Sequence, residues 1–169
     1  MLRISKTVVL LAAVLALGAC TKKATSSLEG NPNGLDGQQL AGNAVAGSED
    51  DFKVNVGDRV YFLVDQSTLT AEGQETLRKQ AAWLQQYPDV NIQLEGHSDE
   101  RGTREYNIAL SARRATASRN FLISQGVDAS RVSSIAFGKE KPASLCDAEQ
   151  CWSQNRRSVT VITGGAKTS

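Results

Sequence analysis

The sequence predicts an α+β domain in which helices pack on a small mixed sheet of four strands, in a βαβαβ-type order. The first observation is that strand-like segments alternate with helix-like segments along residues 58–163, as in sheets whose strands are connected by helices. The second is the segment "VNIQLEG", which places Val90, Ile92 and Leu94 on one face, as in a half-buried strand. Together they favour one domain with a single sheet.

Each element follows from a local pattern. Thr70 is the expected N-cap of a first helix from Ala71 to Gln86, in which Leu77 and Leu84 mark the buried side and Pro88 marks the end. A second helix is expected over residues 104–125, with Gly126 as its stop, and "DAEQCWSQNRR" is a short helix or turn. Strands are predicted at 58–64, 90–96, 133–138 and 157–163.

The N-terminal residues predict export and a lipid anchor. Arg3 and Lys6 precede an apolar run from Val8 to Leu17, which is shorter than the roughly 20 residues needed to cross a bilayer and is typical of a signal peptide. "LGAC" at its end resembles a bacterial lipobox, in which cleavage precedes Cys20 and the thiol is acylated. An ordinary signal peptidase site is the alternative.

These features divide the chain into four parts. We expect a signal peptide at 1–19, an acylated N-terminus and flexible tether at 20–51, a folded domain at 52–163 and a tail at 164–169. The tether assignment depends on a Gly-, Ser-, Asn- and Ala-rich composition without periodicity. A net charge of +1 and 5% aromatic residues give no indication of nucleic-acid binding.

The remaining cysteines are Cys146 and Cys151, separated by four residues. Because an exported protein enters an oxidising compartment, we expect them to form a disulfide. Two free thiols, or half of a metal site, are the alternatives. A structural metal site needs further ligands of a suitable type, which the neighbouring sequence does not offer.

The segment "EGHSDERGTREYN", residues 95–107, is dense in polar groups. A buried strand runs into it and a helix follows it, so Gly102 and the free backbone N–H groups of a helix N-terminus come together, and such a place holds a carboxylate. Asp99 supplies an anion for an ammonium group, and a nearby arginine would clamp a carboxylate. The pattern indicates a site for a zwitterion.

Other readings of this segment are weaker. A metal site has His97 as its only histidine, with Asp99 and Glu100 beside it. A hydrolase built from His97 with Ser98 or Ser111 lacks the G-x-S-x-G turn, and paired carboxylates are supported by composition alone. A solvated loop explains the charges but not their placement between strand and helix. We expect no enzyme activity, no cofactor and no metal.

Several motifs carry a resemblance that extends over residues 58–163: "KQAAWLQQYP", "EGHSDERGTREYN", "ALSARRA", "FGKEKP" and "WSQNRRSVTVI". They are similar to the peptidoglycan-associated lipoproteins of the OmpA-like domain family. The resemblance implies an outer-membrane lipoprotein whose OmpA-like domain faces the periplasm and binds peptidoglycan noncovalently through meso-diaminopimelate of the stem peptide. It also implies work with the Tol system, especially TolB, in envelope integrity and in constriction at division.

The resemblance assigns roles to single residues. Asp99, in "DERG", would take the ammonium group of diaminopimelate, and Arg114, in "LSARRA", its carboxylate. A continuous helix from Thr103 would place Arg114 about 16 Å along its axis. Either the loop folds back beside the helix, or the helix is broken before Ser111. The expected rim and supporting residues are His97, Ser98, Gly102, Thr103, Arg104 and Asn107.

Other large side chains have plainer interpretations. We expect Arg101 on the surface and Trp83 and Trp152 in the core. Arg156 and Arg157 are expected in a salt bridge or in solvent, with contact to the ligand as the alternative. Two rival functions remain from the sequence: a hydrolase acting on the cell wall, and a lipoprotein whose main task is to dock a protein partner.

Overall fold

The computed structural model of the protein describes residues 44–168. The predicted signal peptide, the lipidation at Cys20 and the predicted tether up to residue 43 lie outside the described residues. None of the helices within 44–168 has the length and apolar character needed to cross a bilayer.

Four strands form one mixed sheet in the order β1-β4-β2-β3, in which β2 and β3 are parallel and the other neighbours are antiparallel. This confirms the predicted α+β class with a four-stranded sheet. The elements in chain order are α1 (Glu49–Asp51), continued by a π-helical turn (Phe52–Val56), β1 (Arg59–Tyr61), α2 (Ala71–Gln86), β2 (Asn91–His97), α3 (Arg104–Ser124), a 3₁₀ turn (Ala129–Arg131), β3 (Val132–Gly138), α4 (Glu149–Asn155) and β4 (Arg157–Gly164).

The main core lies between the sheet and the helices α2 and α3. Leu77 and Leu84 of α2 belong to the same hydrophobic cluster as Ile92 and Leu94 of β2, and all four side chains are buried. The apolar face of "VNIQLEG" is thus the buried face of the strand, as the alternation predicts. Trp83 is also in this core, with its Nε1 donating to Asp51 Oδ2 at 2.9 Å.

The predicted helix bounds of α2 agree with the structure, because Thr70 caps it: its Oγ1 accepts from Gly73 N at 3.0 Å. The first strand is shorter than the predicted 58–64. After Tyr61 the chain leaves the sheet and forms a turn at Leu63–Gln66, in which Asp65 has a φ of 55°. The apolar run therefore ends in a turn, which positions the site described below.

Contacts also join residues on either side of 52–163, the range predicted for the folded domain. Ser48 forms a bridge with Lys167, whose N–H donates to Gly47 O at 3.0 Å. Asp51 Oδ2 accepts from Gly47 N at 2.8 Å, and Ala166 packs against the core. These contacts join the segment before α1 to the segment after β4, and the sequence has no periodic pattern that predicts them.

Candidate functional site

The site is built where α3 crosses the end of β2. Gly96 permits this crossing, because a Cβ atom there would lie 1.9 Å from the carbonyl oxygen of Ser111 on α3. The Ser111 hydroxyl accepts from Gly138 N at 2.9 Å, which joins the helix to the end of β3 as well. The polar segment after β2 is therefore fixed against α3 by close backbone contact.

The helix α3 is continuous from Arg104 to Ser124, so the break before Ser111 does not occur. Instead the loop folds back along the first turns of the helix. Asn107 Nδ2 donates to Arg101 O at 2.8 Å, and Lys139 Nζ donates to Gly102 O at 2.8 Å. Thr103 Oγ1 caps the helix by accepting from Tyr106 N at 3.2 Å. The loop is a fixed structure, with Asn107 as one of its supports.

Arg114 is fully buried at the end of β2. Its guanidinium donates to three backbone carbonyls: Nε to Gln66 O at 2.8 Å, Nη1 to His97 O at 3.0 Å and Nη2 to Leu63 O at 3.2 Å. Burial lowers its pKa to about 10, and the charge of Asp99 acts in the opposite direction. Arg114 is therefore a cation at neutral pH, and it ties the Leu63–Gln66 turn to the end of β2.

Asp99 has two guanidinium partners. Its Oδ2 accepts from Arg101 Nη2 at 2.6 Å and from Arg156 Nη1 at 3.2 Å. Burial acts to raise the pKa of Asp99, but the hydrogen bonds from Arg101 and Arg156 outweigh it, and the pKa is lower than usual. The carboxylate is therefore ionised at neutral pH. Arg101, expected on the surface, and Arg156 both belong to this site.

A cavity of about 260 Å³, called here the Asp99 cavity, opens beside this carboxylate. It contains two acids and one exposed guanidinium. Asp65 was not found from the sequence, although an acid directly after the first predicted strand was a usable signal; Tyr106 Oη donates to its Oδ1 at 3.2 Å. The lining residues are Val64, Asp65, Asp99, Arg101, Gly102 and Tyr106.

The other predicted site residues lie around the cavity and not in its lining. His97 and Ser98 are buried beneath the loop, Thr103 caps α3, and Arg104 Nε is 3.2 Å from Glu140 Oε1 at the surface. Arg114 is behind the cavity, at the carbonyl of His97. No group of three potential metal ligands occurs among residues 44–168.

His97 is only 2% exposed and stacks on Phe137, with ring centroids 5.5 Å apart. Neither ring nitrogen has a hydrogen-bond partner within the described residues, and the carboxylate oxygen Oε2 of Glu95 is 3.7 Å from Nε2, beyond hydrogen-bond distance. Burial, followed by the positive charges of Arg157 and Lys141, lowers the pKa of His97 to about 4. The imidazole is therefore neutral, and its environment opposes protonation.

This environment predicts a stability change with pH. Because the folded pKa of His97 is below the ordinary value of 6.5, the unfolded chain binds the proton first, so stability is full above pH 6.5 and decreases as pH falls towards 4. We expect the free energy of unfolding to fall by about 1.5 kcal/mol between pH 6.5 and 5. Urea titrations at both pH values measure it. His97→Phe should remove most of the slope; an unchanged slope would refute the assignment.

Cys146 and Cys151 form the expected disulfide, with their Cα atoms 5.6 Å apart. Trp152, on α4, was expected in the core, but it lies partly exposed outside it. Its indole Nε1 donates to Glu100 Oε1 at 2.8 Å, and the guanidinium carbon of Arg101 lies 4.2 Å from the ring centroid. The amphipathic indole thus contacts the loop at residues 98–103, called here the Asp99 loop, at the surface.

The chain is similar to known proteins over most of its length. The OmpA family model matches residues 61–156. The peptidoglycan-associated lipoprotein of Agrobacterium fabrum is 53% identical over 157 residues, which cover 93% of this chain and 87% of that protein. The peptidoglycan-associated lipoprotein of Haemophilus influenzae is 38% identical over 154 residues, 91% of this chain and 95% of that protein.

Solved structures agree with these similarities. The crystal structure of the peptidoglycan-associated lipoprotein from Burkholderia pseudomallei covers 63% of this chain and 90% of its own, with 39% identity and a TM-score of 0.61. The C-terminal domain of Helicobacter pylori MotB covers 63% of this chain and 84% of its own, with 21% identity and a TM-score of 0.60, and shares the fold. The chain therefore belongs to the OmpA family and, within that family, to the peptidoglycan-associated lipoproteins.

Proposed function

We propose that this protein binds peptidoglycan noncovalently by gripping the zwitterionic end of meso-diaminopimelate, on the stem peptide, in the Asp99 cavity. The observation that carries the proposal is the convergence of Asp65, Asp99 and Arg101 on one cavity, with the cation of Arg114 behind it. The printed names of the relatives support peptidoglycan as the partner.

The charges of the cavity suit a ligand that carries both signs. Asp65 is exposed, and within the described residues its one side-chain hydrogen bond comes from the hydroxyl of Tyr106, so its carboxylate is open to an ammonium group together with Asp99. Arg101 lines the cavity and can reach a carboxylate from its mouth. Since an isolated cation or anion would meet a group of its own sign here, the arrangement favours an amino acid with both groups.

Arg114 remains our candidate for the second contact with the ligand carboxylate. Its guanidinium is engaged by backbone carbonyls, and the contact with Leu63 O, at 3.2 Å, is the longest of the three. A ligand carboxylate would therefore replace the Leu63 carbonyl, while Gln66 O and His97 O keep the guanidinium in place. This exchange pairs the guanidinium with a charged carboxylate, where it now bonds to a neutral carbonyl.

The same geometry supports binding over hydrolysis. Among residues 44–168, Ser98 Oγ and both ring nitrogens of His97 are buried without hydrogen-bond partners, so these two side chains do not form a nucleophile activated by a base. The carboxylate of Asp99 is held in its ionised form by two arginines and is a poor proton donor at neutral pH.

We propose further that residues 1–19 are a signal peptide, that Cys20 carries the lipid anchor in the outer membrane, and that the segment following Cys20 is a tether. The domain would then face the periplasm and work with TolB and the Tol complex in envelope integrity and division. The lipobox-like "LGAC" and the name of the relatives as lipoproteins support this arrangement.

Substitution of Asp99 by asparagine tests the grip. We expect wall binding to weaken by about 30-fold or more, because removing one member of a desolvated charge contact typically costs 2–5 kcal/mol. The measurement is cosedimentation with purified cell wall, with free diaminopimelate as competitor. Asp65→Asn, at an exposed side chain, gives the same test without loss of a buried partner.

The matched control is Asp50→Asn, an exposed aspartate on α1. It should bind wall as the wild type does. Equal binding by all three variants would overturn the proposed site and favour a protein-docking role. Release of soluble wall fragments by the wild type would instead indicate a hydrolase.

A further inference from the structure

We propose that α4, clamped by the Cys146–Cys151 disulfide, is a positioning element for Asp99, so that wall binding depends on the oxidation state of this cysteine pair. The inference rests on the proposed function of the Asp99 cavity. Two series of side-chain contacts connect α4 to the carboxylate of Asp99. The disulfide and Asn155 in turn hold α4 in place.

The first series of contacts passes through Arg156, which directly follows α4 and is 4% exposed. Its Nη1 donates to Asp99 Oδ2 at 3.2 Å, and its Nε donates to Phe62 O at 3.2 Å. Its Nη2 pairs with the carboxylate of Glu149, the first residue of α4. Glu149 therefore fixes the rotamer of the buried arginine that faces Asp99.

The second series of contacts passes through Trp152, near the middle of α4. Its ring supports the guanidinium of Arg101, and its Nε1 donates to Glu100 in the Asp99 loop. The side chain of Arg101 is 40% exposed, so without this support only its bonds to Asp99 would hold it in place. Both guanidinium groups that hold Asp99 are thus positioned by residues of α4.

The disulfide matters because α4 is weak as a helix. It has seven residues, fewer than an isolated helix needs, and Ala148 at its N-terminus provides no side-chain cap. Asn155 anchors its far end by accepting from Ala143 N at 2.7 Å. The near end is anchored by the disulfide, whose loop contains Glu149. Opening the disulfide would release the first turn of α4.

The redox step is thiol–disulfide exchange with a dithiol reductant. One thiolate of the dithiol attacks a sulfur of the disulfide, the S–S bond breaks, and a mixed disulfide forms. The second thiol of the dithiol resolves it, so two electrons and two protons pass to the protein. Cys146 and Cys151 become thiols and the reductant becomes a cyclic disulfide. Cys146 is half-buried and Cys151 is buried, which makes Cys146 the accessible sulfur.

The test uses the full chain in wall cosedimentation, before and after treatment with dithiothreitol. We expect the reduced protein to bind wall about tenfold more weakly, and reoxidation to restore binding. The double variant Cys146→Ser, Cys151→Ser should bind as weakly as the reduced protein and should not respond to dithiothreitol. Near-ultraviolet circular dichroism checks that the reduced domain stays folded.

Two further measurements separate positioning from general loss of structure. Trp152→Ala should weaken binding, and Trp152→Phe, which keeps a ring under Arg101, should recover most of it. In an Asp99→Asn background, reduction should cause no further loss. Equal binding by oxidised and reduced wild type would overturn the inference alone, and absence of binding by the oxidised wild type would overturn the proposed function itself.

Discussion

Gly96→Ala is expected to lower the free energy of unfolding by at least about 3 kcal/mol, at the upper end of the cost of overpacking. The added methyl group would lie 1.9 Å from Ser111 O and 3.2 Å from Ala115 Cβ. The nearest atom is backbone in the middle of α3, so no side chain can rotate to relieve the contact. The helix would have to move away from β2, which would also displace the loop that carries Asp99.

The measurement is urea unfolding of the wild type and of two alanine variants. Gly164→Ala is the matched control, since Gly164 is also in a strand and a Cβ atom there meets nothing within 4 Å. It should change the stability by less than about 0.5 kcal/mol. Equal stability of Gly96→Ala and Gly164→Ala would contradict the close packing of α3 against β2 at Gly96.

Arg114→Met is expected to lower the free energy of unfolding by about 3–5 kcal/mol and to abolish wall binding. The substitution removes a buried cation and leaves the carbonyls of Leu63, His97 and Gln66 without their donor. The turn that carries Asp65 would then lose its attachment to β2. Arg114→Lys should recover only part of the stability, because one ammonium group cannot reproduce the planar spread of donors.

The neighbouring Arg113 provides the control, because it is exposed and lies on the same helix. Arg113→Met should leave both stability and wall binding close to those of the wild type. Urea unfolding and wall cosedimentation, the latter at a temperature where each variant is folded, measure the two effects separately. Equal stability of the two methionine variants would contradict the buried role of Arg114.

The elements that the sequence predicted well are those with local causes. The bounds of α2 follow from the cap at Thr70 and the apolar spacing of its buried side, and both are encoded within the helix. The face of β2 follows from strict alternation. These predictions required no knowledge of which segments meet in space.

The errors come from contacts between distant residues. The run after Tyr61 is apolar and β-like, but Arg114, about fifty positions later, draws the carbonyls of Leu63 and Gln66 out of the sheet. In the same way, only the fold shows that Arg156 and Arg101 share the carboxylate of Asp99. A sequence contains the charges of these residues but not the pairs that they form.

The pairing of Ser48 with Lys167 has a mechanical consequence. It lies beyond the end of the sheet where Asn91 pairs with Gly164, whereas the Asp99 cavity follows the opposite end of β2. Under the proposed function, a pull between lipid and wall enters the domain near Ser48 and leaves it near Asp99. Tension then runs lengthwise along β2 and β4, so their hydrogen bonds are sheared together and are not opened one after another.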